Sequence, residues 1–205
     1  MLNKQRFAVI LLSLLALAPP YATARSSAMQ AAQEAGAEDE RIHQETVNRE
    51  LEAFRAAQVS LRQAMGIAEK LHTGSRTADI SFEGASGSPV YRVKTVQHNR
   101  LWEHAIDAKT GDTIGSEAVS HLNDLNPDDR NNIIALRTVR QELSDAVIIA
   151  EQVASGRAIG GSLMDDNGKL NFVIVVLSGG SDLKQVVLEP PQASGPRSKL
   201  RQGAR

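Results

Sequence analysis

Two stretches of this chain spell the same pattern 82 positions apart (Leu61 to Leu143). SLRQAMGIAEKLHTG (60–74) lies over ELSDAVIIAEQVASG (142–156). Ala64 then matches Ala146, Ile67-Ala68-Glu69 matches Ile149-Ala150-Glu151, and Gly74 matches Gly156. With one residue deleted, PVYRVKTV (89–96) falls over LNFVIVVL (170–177), and LWEHAID (101–107) over DLKQVVL (182–188). A pattern that recurs at a fixed spacing limits the chain to two copies of one small unit, set side by side or sharing a core.

The grammar of each copy is a helix followed by three strands. In the first, Ser60 and Gln63 fit a capping box. Leu61, Ala64, Ala68 and Leu71 recur at spacings of three and four, and Gly74 is placed to close the helix. The segments 77–84, 89–97 and 101–108 then alternate as strands do, with GASGSP and QHNR as turns between them. In the second copy, Asn126-Pro127-Asp128-Asp129 is a strong helix start. Ile133, Leu136, Leu143, Ala146, Ala150 and Val153 continue one face, which predicts a single helix over 127–154. Strands follow at 159–166, 169–178 and 182–190, turned by NGK and GGS. The expected fold class is α+β, with each unit a helix packed on a three-stranded antiparallel sheet.

Around this core the chain divides further. Lys4 and Arg6 precede an apolar run over 7–18, then Pro19-Pro20 and Ala22-Thr23-Ala24, the layout of a signal peptide cleaved after Ala24. The mature protein is then expected to be periplasmic or secreted and not membrane-spanning. Residues 25–58 read as a charged helical arm or linker, with Val47, Leu51 and Phe54 at helical spacing, the arm being taken as a solvated extension of the first helix. Unit one spans 59–118; a linker helix and unit two span 119–191; and 192–205 form a basic tail with the composition of a disordered segment.

Composition removes several function classes. There is no cysteine, so thiolate chemistry, cysteine metal sites and disulfides are absent. The chain holds 23 basic and 24 acidic residues. Leaving out the two cations of the leader and the four of the tail, residues 25–191 carry 17 basic against 24 acidic residues, a net of −7. An acidic body argues against nucleic acid as a partner.

The polar stretch AIDAKTGDTI (105–114) is the most site-like in the chain. Asp107, Thr110 and Asp112 offer at most three oxygen ligands, too few for calcium, whereas Asp, Thr and Gly at these positions suit an Asx-type turn. His98, Glu103 and His104 lie close in sequence, but Glu103 and His104 point to opposite faces of a strand, and no His-x-x-x-His or His-Glu-x-x-His spacing exists. GGSLMDDNGK lacks the phosphate-loop lysine, and no Gly-x-Ser-x-Gly element is present. Phe82, Tyr91, Trp102 and Phe172 fall at strand positions as core. No catalytic, cofactor-binding or metal-binding residue is therefore expected, and no cofactor.

Three pieces together resemble the PepSY domain. They are a helix with Ala64, Ile67 and Ala68, a strand with Tyr91 and Val93, and a closing turn with Asp107, Thr110 and Gly111. Unit two keeps Ala146, Ile149, Ala150, Phe172 and Ile174 but departs at the close, where Leu188 stands for Asp107 and EPPQ for AKTG. The family is known from propeptides of thermolysin-like secreted peptidases and from envelope proteins. The resemblance implies a non-catalytic module that binds, and in some settings inhibits, a peptidase or another exported protein. An envelope sensory or small-ligand-binding module is the alternative, and a small hydrolase a third reading without a catalytic set to support it.

Overall fold

The structure, a computed structural model, describes residues 27–85, 87–166 and 169–191, with side chains described from Glu40 onwards. The signal-peptide segment 1–24 and the basic tail 192–205 lie outside the described residues. Helix α1 runs Ser27–Arg55. Up to Arg41 it belongs to one compact unit; residues from Ile42 onwards belong to a second, which is the subject below.

The expected extension of the first helix is instead a separate element. α1 stops at Arg55 and α2 (Leu61–Leu71) starts anew, because Ser60 is an N-cap: its backbone N–H donates to Gln63 Oε1 at 2.8 Å, and Gln63 N–H donates to its hydroxyl at 3.3 Å. The end of α1 is not solvated. Leu51 and Phe54 are buried, Phe54 stands edge-on to Phe82 with ring centres 5.2 Å apart, and the Arg157 guanidinium lies 4.8 Å over the Phe54 ring. Glu50 accepts from Gly84 N and Ala85 N at 2.9 and 2.8 Å, tying this helix to the first hairpin.

The strands form where alternation placed them: β1 Arg76–Glu83, β2 Val90–Gln97, β3 Arg100–Asp107, β5 Gly156–Asp166, β6 Lys169–Ser178 and β7 Asp182–Leu188. A further strand, β4 (Thr113–His121), was not expected. The fold is α+β, but not two three-stranded sheets. All seven strands make one antiparallel sheet in the order β4-β3-β2-β1-β5-β6-β7. The halves meet through Asp79↔Ser162, Ile80↔Gly161 and Ser81↔Gly160. Gly160 eases the close approach at this seam: a Cβ there would sit 3.3 Å from Ile80 O.

α2 packs on β1–β3, and α4 (Leu143–Ala154) on β5–β7, the two helices touching on one face. Positions matched in sequence are alike in burial. Ala64, Ala68, Ala146 and Ala150 have no exposed surface, nor have Tyr91, Val93, Phe172 and Ile174 beneath them. Glu69 accepts from Thr77 N at 3.0 Å, and Glu151 from Ala158 N at 2.9 Å, each bond running from a helix to the strand that follows.

The single helix expected over 127–154 is two. α3 (Pro127–Leu136) begins as predicted, with Asn126 Oδ1 accepting from Asp129 N at 2.9 Å, and α4 follows after a break at 137–142. The break is set by a tertiary contact. Arg76 donates to the carbonyls of Leu136 (2.6 Å), Val139 (3.1 Å) and Gln141 (2.8 Å), replacing the helical donors those oxygens would otherwise need. α3 covers the reverse face of the sheet near the seam: it packs against β5 and β6, and its Leu136 shares a recess with Val96, which alternates away from Tyr91 and α2.

Candidate functional site

The residues of the three-part motif meet at one end of the first half. Asp107 Oδ1 accepts from the N–H groups of Lys109 and Thr110 at 2.7 and 2.9 Å, and Gly111 N–H returns to Asp107 O at 2.9 Å. Thr110 Oγ1 accepts from Asp112 N at 3.2 Å. These backbone donors hold the Asp107 carboxyl below the usual carboxylate range. Gly111 has φ +82°, and a Cβ on it would lie 3.2 Å from Ile67 Cδ1, so the turn seats directly against α2. Ala108 O accepts from Gln58 N and Val59 N, while the Tyr91 hydroxyl donates to Val59 O at 2.7 Å. Burial pushes the Tyr91 phenol up to about 12, with Arg157 opposing and Glu151 adding to the shift. In this arrangement Ala64, Ile67, Ala68, Tyr91, Val93, Asp107, Thr110 and Gly111 connect helix, sheet and turn; their polar atoms are satisfied by backbone.

A different group has the chemistry of a site. His72, just past the end of α2, stacks on Trp102 of β3 with ring centres 4.1 Å apart and planes 19° apart. Its Nε2 lies 2.8 Å from Glu117 Oε2 on β4, and His104 Nδ1 on β3 lies 3.8 Å from the same oxygen. The two imidazole centres are 5.5 Å apart. His104 is 4% exposed, and its Nε2 is buried without a hydrogen-bond partner. Burial lowers its pKa, Glu117 opposes, and His72 adds to the lowering, so His104 is neutral at pH 7.

Glu117 reaches the histidines because β4 bulges there. Glu103 pairs with Ala118 and Ala105 with Ile114, which leaves Gly115, Ser116 and Glu117 opposite His104 alone, with Gly115 at φ +72°. Sequence reasoning set His104 aside beside His98 and Glu103. His98 is in the β2–β3 turn at φ 52°, and Glu103 lies near Arg92, 4.0 Å away, on the other face. The true neighbours of His104 come from other elements, at no motif spacing. Beside the cluster, Trp102 and His121 help line an open recess of about 310 Å³.

The sheet ends in two edge strands. β4 is exposed along its length but interrupted by the bulge. β7 pairs with β6 through seven consecutive partners, Phe172↔Leu188 to Ser178↔Asp182, without irregularity. Its Leu183 and Val187 are exposed and lie beside Leu177 and Val173 of β6 on the face away from α4. Among the described residues no helix is long and apolar enough to cross a membrane.

No curated protein matches the chain. One similar solved structure is the crystal structure of a candidate lipoprotein from Clostridium difficile 630, 21% identical over 64% of this chain and 95% of that one, with a TM-score of 0.36. At that score it carries no argument here. Residues 58–117, from the residues just before α2 to the bulge of β4, match the family model for PepSY, the "Peptidase propeptide and YPEB domain", and over that segment the chain is similar to that family.

Proposed function

We propose that this chain is an exported, non-catalytic binding module that takes an extended segment of another exported or envelope protein, a peptidase foremost, as an added strand on β7. The observation that carries this reading is the unbroken β7 register beside an outer edge with no partner strand among the described residues. Such an edge offers main-chain donors and acceptors in regular spacing, and the exposed Leu183 and Val187 beside it supply apolar contacts for alternate side chains. The family description supports a partner of the peptidase class, and the leader-like opening supports export. The second helix–strand run is read as a diverged copy of the first that kept the helix and strands and lost the Asp-Thr-Gly turn.

The test is a proline scan of β7, with Lys184→Pro, Gln185→Pro and Val186→Pro each titrated against secreted metallopeptidases. N–H groups alternate between the β6 ladder and the open edge. A proline on the open side keeps the fold and removes one donor to the partner. Loss of binding or inhibition in a folded variant supports the reading. Unchanged binding in every folded variant, or turnover of a substrate by the chain alone, overturns it.

A further inference from the structure

We propose that His72, His104 and Glu117 form a binding site for a divalent transition-metal ion of the zinc class. One ligand atom from each residue lies within 4.8 Å of the others, and the three come from three elements: the end of α2, β3 and β4. Zinc bonds of roughly 2.0–2.2 Å in tetrahedral geometry place ligand atoms about 3.3 Å apart. The two measured separations from Glu117 Oε2, 2.8 Å to His72 Nε2 and 3.8 Å to His104 Nδ1, fall on either side of that value. The third separation, between the two histidines, is within 4.8 Å, so closing the three onto one ion takes side-chain shifts of up to about 1.5 Å.

Three features point to a ligand rather than to an ordinary surface ion pair. His104 is buried with its Nδ1 turned toward Glu117, yet 3.8 Å is too long for a hydrogen bond, and its Nε2 has no partner. Coordination would engage Nδ1, the nitrogen that faces Glu117, and leave the ring proton on Nε2. The bulge in β4 turns Glu117 to the histidines at the one place where the β3–β4 ladder loses register. The stack on Trp102 fixes the plane of His72, as a ligand imidazole needs.

Two imidazoles and one carboxylate favour zinc, cobalt, nickel or copper over calcium or magnesium, which take oxygen ligands. His72 and Glu117 have side chains 23% and 41% exposed, so water reaches the fourth position. The ion would take the place of the proton now shared between His72 Nε2 and Glu117 Oε2. This site is separate from the β7 edge, and its failure would leave that reading intact.

The experiment is a titration of the chelator-treated full chain with Co²⁺, followed by visible absorption and by fluorescence of Trp102, the single tryptophan. The expected result is saturable 1:1 binding that quenches Trp102 and is reversed by Zn²⁺. Glu117→Gln and His72→Gln should weaken binding on the order of 100-fold, with His43→Gln matching the wild type. Substitution of the buried His104 would disturb the fold as well as the site; the exposed Glu117 carries the test, with circular dichroism as the fold control. No saturable binding below about 1 mM, or equal affinity in Glu117→Gln, overturns the proposal.

Discussion

Arg76, at the start of β1, places its Nε 2.8 Å from Glu142 Oε2 at the head of α4 while its other nitrogens hold the carbonyls of the α3–α4 break. One guanidinium thus fixes where one helix ends and the next begins. Arg76→Ala should cost about 2–3 kcal/mol, since it strips donors from partly buried carbonyls. Arg76→Lys should recover only part of this, because one ammonium nitrogen cannot span the four acceptors that the three guanidinium nitrogens reach. Chemical denaturation of the three proteins measures both; equal stability of wild type and alanine variant would refute the role.

The Asp107 turn should behave as structure. Asp107→Ala removes two acceptor bonds at a half-buried position and should lower stability by about 1 kcal/mol. Gly111→Val forces a β-branched residue into φ > 0 against Ile67 and should cost about 2 kcal/mol or more. Thermal melts of both variants that overlay the wild type would show that the turn contributes nothing.

Asp79 predicts a pH dependence. Burial pushes its carboxyl up to about 6; Lys94 opposes, while Asp129 and Glu103 add to the shift. The folded protein therefore holds this proton where the unfolded chain has lost it. Stability from this group is full below the unfolded value of 3.8 and falls as pH rises through about 6. Asp79→Asn should flatten the stability profile between those values and stabilise the protein at pH 7, by on the order of 2 kcal/mol. A profile that keeps its slope in the variant would assign the effect to another group.

Leu143 opens α4 and is buried against the sheet at Gly161. Leu143→Asp would bury a charge and should cost several kcal/mol, enough to unfold much of the protein at 25 °C. A soluble variant with the wild-type denaturation midpoint would mean that α4 does not anchor the second half.

Local pattern made six strands, the capped starts of α2 and α3, and most of the buried faces of α2 and α4 legible in the sequence; Leu71 and Val153, expected on those faces, sit in the last turns and are 46% and 69% exposed. β4 was hidden because TIGSEAVSH is exposed on both faces, so no alternation marks it, and Ile114 and Val119 point to solvent. The break between α3 and α4 was hidden because Leu136 and Leu143 continue a helical spacing; only Arg76, distant in sequence, interrupts it. The joining of two sheets into one rests on pairing between β1 and β5, which no local signal encodes. The imidazole–carboxylate cluster escaped for a related reason. Its members stand on three elements, with 45 positions between the outermost two, and a bulge visible only in the register brings them together.

The seam between β1 and β5 also sets how many strand edges stand open to self-association. Two separate small sheets would expose four backbone edges; joined, they expose two, and the one at β4 is interrupted by its bulge. Among the described residues one regular edge remains, in a chain with no cysteine and so no disulfide to hold its fold against aggregation. Capture of a foreign strand and stacking of identical copies would then compete for the same row of amides. The working concentration of this protein would then be bounded by the same surface that is proposed to take a partner.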